Sequence, residues 1–115
     1  MPQTALLVGN SDGIGLAATK RLLAKGWNVI GVSRSASPLE DPAYRHHIAD
    51  VTDTDYSRLV TELARDNPFD LCLYLAGIGE PLDPSDMSRE AHIIEVNLTG
   101  MVHTAAAVMP RLRSA

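Results

Sequence analysis

Three glycines stand close together where an apolar run ends, in Leu6-Leu7-Val8-Gly9-Asn10-Ser11-Asp12-Gly13-Ile14-Gly15, and a helical pattern follows at once. The order reads as strand, tight turn, helix. A helix that begins at such a turn aims unpaired backbone N–H groups and the positive end of its dipole beyond the strand end. That is the chemistry of an anion site, and a pyrophosphate suits it. Gly9 turns without a Cβ penalty, Gly13 lets the backbone approach a phosphate, and Gly15 lets helix and strand pack closely. Ser11, Asp12 and Ile14 are the candidate contacts between them. The spacing is G-x-x-x-G-x-G, not the commoner G-x-G-x-x-G, and three glycines alone fit a purely structural turn equally well.

A second place with chemistry is Ser33-Arg34, at the end of the next apolar run and about 20 residues past the glycines, where dinucleotide folds meet the adenosine ribose. A carboxylate there selects NAD, whereas a nearby Arg accommodates the 2′-phosphate of NADP. This chain offers no carboxylate at that point and does offer Arg34. A guanidinium on a phosphate contributes roughly 1.5–3 kcal/mol, about tenfold or more in preference. The alternative is an ordinary solvated Arg; the position favours NADP(H) over NAD(H).

The elements that hold these residues follow from periodicity. Ile14, Ala18 and Leu22, with Leu16 and Leu23 beside them, form a helix stripe that ends at Gly26. Trp27–Val32 reads as a second strand, parallel to the first because a crossover helix separates them. Residues Ser35 to Pro42 are irregular, and Tyr44–Ala49 reads as a third strand on which the adjacent His46 and His47 face opposite sides, poor geometry for one metal. Thr52 and Asp55 stand at capping-box spacing before a helix with the stripe Tyr56, Leu59, Val60, Leu63 and Ala64, stopped by Asn67-Pro68. Phe69–Leu75 is continuously apolar, as in a strand covered on both faces. After a loop over Ile78–Ser85, Asp86–Ala115 reads as one long helix with the packed stripe Ile94, Leu98, Met101 and Ala105, and with Ile93, Val102 and Met109 alongside. Asn97 and Gly100 are poor helix formers, so a local distortion is expected there.

Composition bounds the class. With 115 residues, 45% hydrophobic and 21% charged, the chain is one ordinary globular domain at most. A net charge of −4 and a pI near 5.4 give no support to a nucleic-acid or membrane-surface role. The single cysteine, Cys72, lies in an apolar run and reads as a small buried hydrophobe. Neither a secretory leader nor an apolar run long enough for a membrane span is evident, so a cytoplasmic setting is expected.

The glycine spacing and the Gly13-Ile14-Gly15 triplet resemble the short-chain dehydrogenase/reductase family, whose first loop reads T-G-x-x-x-G-I-G; Val8 stands in place of its Thr. The resemblance implies that Asp50 contacts the adenine amino group and that Val51 packs on the ring. It also implies that Ala76 and Gly77 are the surviving half of the family's N-N-A-G, with Tyr74-Leu75 in place of the two Asn. Val8 and the missing Asn read together as a swap of a buried polar contact for apolar groups. Glu95-Val96-Asn97-Leu98-Thr99-Gly100 resembles the family's x-x-N-x-x-G segment, which makes Asn97 the candidate catalytic residue, its backbone holding a water of the proton relay.

The resemblance covers only the front half of the family. The family's active-site Ser and Tyr-x-x-x-Lys are missing, since Tyr44, Tyr56 and Tyr74 are followed four residues on by Ile48, Val60 and Ile78, and Ser114 comes too late. The expected fold is a Rossmann-like, doubly wound parallel α/β sheet, front portion only, in order 3-2-1-4. The expected function is the NADP(H)-binding portion of such a reductase, inactive alone. A non-enzymatic NADP-binding or regulatory module, or one half of a split reductase, are the alternatives. Strand 4 would expose an apolar edge, so a homo-oligomer or a completing chain is expected through that strand and the last helix.

Overall fold

The computed structural model describes residues 2–78 and 84–113. Four strands, β1 (Thr4–Val8), β2 (Asn28–Ser33), β3 (Tyr44–Ile48) and β4 (Leu71–Tyr74), form one sheet in the order β3-β2-β1-β4. Every pairing is parallel, with Leu6 opposite Ile30 on one side and Cys72 on the other. This is the Rossmann-like order expected from the sequence. Alternation along β1 splits the core in two. Leu6 and Val8 join Ile30, Val32, Val60, Phe69 and Val96, while Ala5 and Leu7 join Val29 and Tyr44 on the opposite face. Both faces of β4 are covered, Cys72 and Tyr74 packing into the first cluster and Leu71 and Leu73 into the second. Burial pushes the Cys72 thiol up to about 11, so it stays protonated and acts as a packed hydrophobe.

Helix α1 (Gly13–Ala24) covers the Ala5/Leu7 face, and Gly26 at φ +87° ends it, with Trp27 N–H donating back to Leu22 O. Its inward positions are Gly15 and Thr19, flanked by the half-buried Ala18, Leu22 and Leu23. Ile14, expected in the packed stripe, is 80% exposed. Gly15 lies against the backbone of Gly9 and Asn10, and that contact fixes the helix phase one residue away from Ile14.

Helix α2 (Tyr56–Asp66) buries Tyr56, Val60, Leu63 and Ala64 on the other face, with Leu59 packed beside them. The capping box does not form. Thr52 instead donates its N–H and its hydroxyl to Asp50 Oδ1, at 2.9 and 2.7 Å, so it closes a turn on Asp50 and the helix starts later.

The last helical segment is α3 (Ser88–Ile94), a π-helical turn (Glu95–Thr99), α4 (Gly100–Val108) and a 3-10 turn (Met109–Arg111). The expected distortion is therefore present at Asn97. The expected stripe is not the inward one, because Val96, Gly100, Thr104 and Val108 are buried, whereas Ile94, Leu98, Met101, Val102 and Met109 are exposed. Close approach decides this. A Cβ at Gly100 would meet the Tyr74 hydroxyl and Val51, and Thr104 bonds the hydroxyl of Tyr56 at 2.6 Å. Small and hydrogen-bonded residues seat the helix, and its larger apolar residues face outward. The expected helical end at Ser114 and Ala115, and residues 79–83 of the expected loop, lie outside the described residues. Among the described residues no helix is long and apolar enough to cross a membrane.

Candidate functional site

The carboxyl ends of parallel strands converge on one side of the sheet, and the sequence places its chemistry there. A cleft of about 160 Å³ opens at that edge, lined by Gly9, Ser11, Asp12, Ser33, Arg34, Asp50, Val51, Ala76 and Gly77, together with Val8, Val32, Ser35, Ala49, Leu75, Ile78 and Val96. Nine expected contact residues are thus gathered from four strand ends. Gly13, Ile14 and Gly15 stand at the start of α1 beside the cleft, and Asn97 lies outside its wall.

Gly9 adopts φ +86°, and a Cβ there would overlap the backbone of Ala76, so the first turn and the end of β4 touch through backbone alone. Gly13, at φ +54°, has nothing within 4 Å of a notional Cβ and leaves its backbone open to approach. Asp12 is the N-cap residue, yet its side chain makes no capping bond. The first N–H groups of α1 therefore remain available to an external acceptor, the condition for anion binding. The Asp12 carboxylate brings a negative charge to the same rim.

Asp50 accepts both Thr52 bonds on Oδ1, and these hold its carboxyl below the usual carboxylate value, helped by the nearby Arg34 charge. It is ionised at neutral pH. Arg34 itself is exposed and makes no ion pair among the described residues. Ser33 is buried, and its hydroxyl is committed to Ser35 O at 2.6 Å. It braces the turn that carries Arg34.

Asn97 uses its side chain on the loop after β4. Its Oδ1 accepts from Ile78 N–H and its Nδ2 donates to Ile78 O, both at 2.8 Å, so the amide clamps one residue at the cleft wall. The adjoining Val96 carbonyl, inside the π turn, accepts from the Tyr74 hydroxyl at 2.6 Å. Tyr74 is thus more than an apolar replacement. Its ring packs in the core beside Val8, its hydroxyl bonds the helix backbone, and burial pushes its phenol up to about 12. Only the Val8 half of the expected polar-to-apolar swap is purely apolar.

Sequence reasoning missed a buried polar network under the glycine turn. Thr19 Oγ1 donates to Gly15 O at 2.8 Å, and Asn10 Nδ2 lies 3.0 Å from Thr19 Oγ1 and 2.9 Å from the Tyr44 hydroxyl. Tyr44 meets His46 Nδ1 at 2.6 Å, and His46 Nε2 reaches Ser33 Oγ at 3.0 Å and Ser35 O at 2.9 Å. The one available signal was the polar Asn10 inside a glycine turn. Both ring nitrogens of His46 are engaged by protein atoms, and burial, with the Arg45 and His46 charges, holds the His47 pKa below its usual value. The two histidines are structural.

Known proteins agree with this geometry. The short chain dehydrogenase family matches residues 3–115. Serine 3-dehydrogenase of Agrobacterium fabrum is 28% identical over 97% of this chain and 49% of its own length, and short chain dehydrogenase ausX of Penicillium brasilianum is 30% identical over 94% and 45%. Among solved structures, a short chain dehydrogenase family protein of Francisella tularensis superposes with a TM-score of 0.87 at 22% identity, covering 98% of this chain and 48% of that one. A short chain dehydrogenase of Leptospira borgpetersenii with bound NAD+ gives a TM-score of 0.85 at 18% identity, covering 96% and 46%. The chain spans about half the length of the curated relatives it matches. With its parallel 3-2-1-4 sheet, its glycine turn and this match over nearly its whole length, the chain belongs to the short-chain dehydrogenase family of oxidoreductases.

Proposed function

We propose that this chain is the NADP(H)-binding half of a short-chain dehydrogenase/reductase, the cofactor lying across the carboxyl ends of the strands. The observation that carries the reading is the convergence of an uncapped helix start and an unpaired Arg34 on one cleft. The α1 N–H groups, with Gly9, Ser11, Asp12, Gly13 and Gly15, would hold the pyrophosphate through the backbone. Arg34 would take the 2′-phosphate of the ribose, Asp50 the adenine amino group, and Val51 the ring. Ile14, exposed at the mouth, and Ala76-Gly77 would border the nicotinamide side. Asn97 would serve the proton relay through its backbone, its side chain being occupied by Ile78.

When bound, the cofactor supplies hydride exchange with a carbonyl or alcohol. The proton donor of that chemistry, Tyr-x-x-x-Lys, does not occur within residues 1–115, so the chain by itself is read as inactive. A completing chain or a second copy is favoured by two surfaces, the outer edge of β4 and the exposed row Ile94, Leu98, Met101, Val102 and Met109. Sedimentation of the purified chain tests that association, and a monomer at all concentrations rejects it. A cytoplasmic setting suits the free Cys72 thiol.

The deciding experiment is calorimetric titration with NADPH and, separately, NADH. NADPH is expected to bind about tenfold or more tightly, with the preference lost in Arg34→Ala. Equal affinities reject the NADP reading, and no heat with either rejects the dinucleotide site.

A further inference from the structure

The polar network beneath the glycine turn runs to the residue pair that flanks Arg34, and its hydrogens are fixed by elimination. The single hydrogen of the Thr19 hydroxyl goes to Gly15 O, so Thr19 accepts from Asn10 Nδ2. The second hydrogen of that amide goes to the Tyr44 oxygen. Tyr44 then has one hydrogen left and spends it on His46 Nδ1, so the proton of neutral His46 sits on Nε2. From there it points at Ser33 Oγ and Ser35 O, and Ser33 donates onward to Ser35 O. Every donor runs the same way, from the glycine turn across the sheet to the end of β2.

Room for this crossing is specific. A Cβ on Gly31, which pairs with His46 across β2 and β3, would overlap the Tyr44 hydroxyl and the Asn10 amide. The network is buried at Asn10, Thr19, Tyr44 and Ser33, and it leaves one buried acceptor, Asn10 Oδ1, without a partner among the described residues. An orphan acceptor of this kind costs about 1–3 kcal/mol, so the arrangement is retained against a penalty. Nothing else among the described side chains holds Ser35.

We propose that His46 is a positioning residue for cofactor specificity. It ties the Ser33–Ser35 turn to the rigid base of the glycine turn, so that Arg34 is presented to a 2′-phosphate in one orientation. The proposal rests on the dinucleotide reading above and adds the device that makes Arg34 selective. A guanidinium on an unbraced turn still attracts phosphate but loses the fixed fork geometry of a bidentate contact.

The test uses the two adenosine fragments, adenosine 2′,5′-bisphosphate and AMP, titrated calorimetrically against the whole chain and its variants. His46→Leu is expected to lower the bisphosphate affinity about tenfold while leaving AMP within about twofold, because only the 2′-phosphate depends on the braced turn. His46→Gln, whose amide N–H keeps a donor for Ser33 and Ser35, is expected to restore most of the preference. Tyr44→Phe, which removes the hydrogen that fixes the His46 tautomer, is expected to fall between them. Should His46→Leu show no cooperative unfolding, His46→Gln and Tyr44→Phe decide the matter by the same ratio. A preference unchanged in the folded variants, or a parallel loss of both ligands, overturns the positioning role alone. Failure of the unmodified chain to bind either fragment overturns the dinucleotide reading and this inference together.

Discussion

The seat of the last helix rests on one buried pair whose disruption has a calculable and asymmetric cost. Tyr56 is fully buried, and its hydroxyl lies 2.6 Å from Thr104 Oγ1, which donates its own hydrogen to Gly100 O at 2.7 Å. Tyr56 is therefore the donor in the pair, and burial keeps its phenol neutral by raising its pKa well above the ordinary value. Tyr56→Phe removes a donor from an oxygen that keeps its bond to Gly100, at a cost of about 1 kcal/mol. Thr104→Val preserves shape but strands a buried donor, at a cost of about 2 kcal/mol. The double variant strands nothing and is expected to cost about 1 kcal/mol, about 2 kcal/mol less than the sum of the single changes. Equilibrium urea unfolding followed through Trp27, the single tryptophan, measures all four species. A double variant whose destabilisation equals the sum of the singles to within about 0.5 kcal/mol refutes the donor assignment and the seating argument built on it.

Two further outcomes are expected. Gly13→Ala meets open space and costs only the left-handed penalty of about 1–2 kcal/mol, whereas Gly9→Ala also drives a Cβ into the backbone of Ala76 and is expected to cost clearly more in the same unfolding assay; equal costs reject the close approach of β1 and β4. Asp70 receives both arms of Arg113, at 2.9 and 2.7 Å, and the Thr4 N–H, which hold its carboxyl below the ordinary value of 3.8. Its stabilising contribution is fully present above that value and is lost as pH falls through the lowered one, so the stability gap between the native chain and Asp70→Asn is expected to close on acidification; a gap that stays constant in acid refutes the pairing.

The order of strands and the gathering of Gly9, Ser33, Arg34, Asp50 and Gly77 at one edge were legible because each depends on local signals: glycine spacing, the ends of apolar runs, and the obligatory crossovers of a parallel sheet. What escaped depends on partners far along the chain. Hydropathy alone assigned Ile94, Leu98 and Met101 to the core, but the contact with Tyr74, Val51 and Tyr56 is shaped for Gly100 and Thr104, which no apolar stripe registers. Ile14 was misassigned for a related reason, since Gly15 has no apolar side chain and still sets the phase of α1. The Asn10, Tyr44 and His46 network joins three segments, and no spacing within any one of them announces it.

The π turn at Glu95–Thr99 has a consequence for how this segment tolerates change in length as opposed to change in residue. Such a turn holds one residue more than an α-helix would at the same place, so deleting a single residue there would let the helix close up and rotate all that follows by about 100°. Met101, Ala105 and Met109 would then swing toward the places now taken by Gly100, Thr104 and Val108. A methionine would be driven against the Tyr74 hydroxyl, where there is no space even for a Cβ. Substitutions on the exposed side of this helix should accordingly be common among viable variants, and single-residue deletions between 95 and 99 should be lethal to the fold.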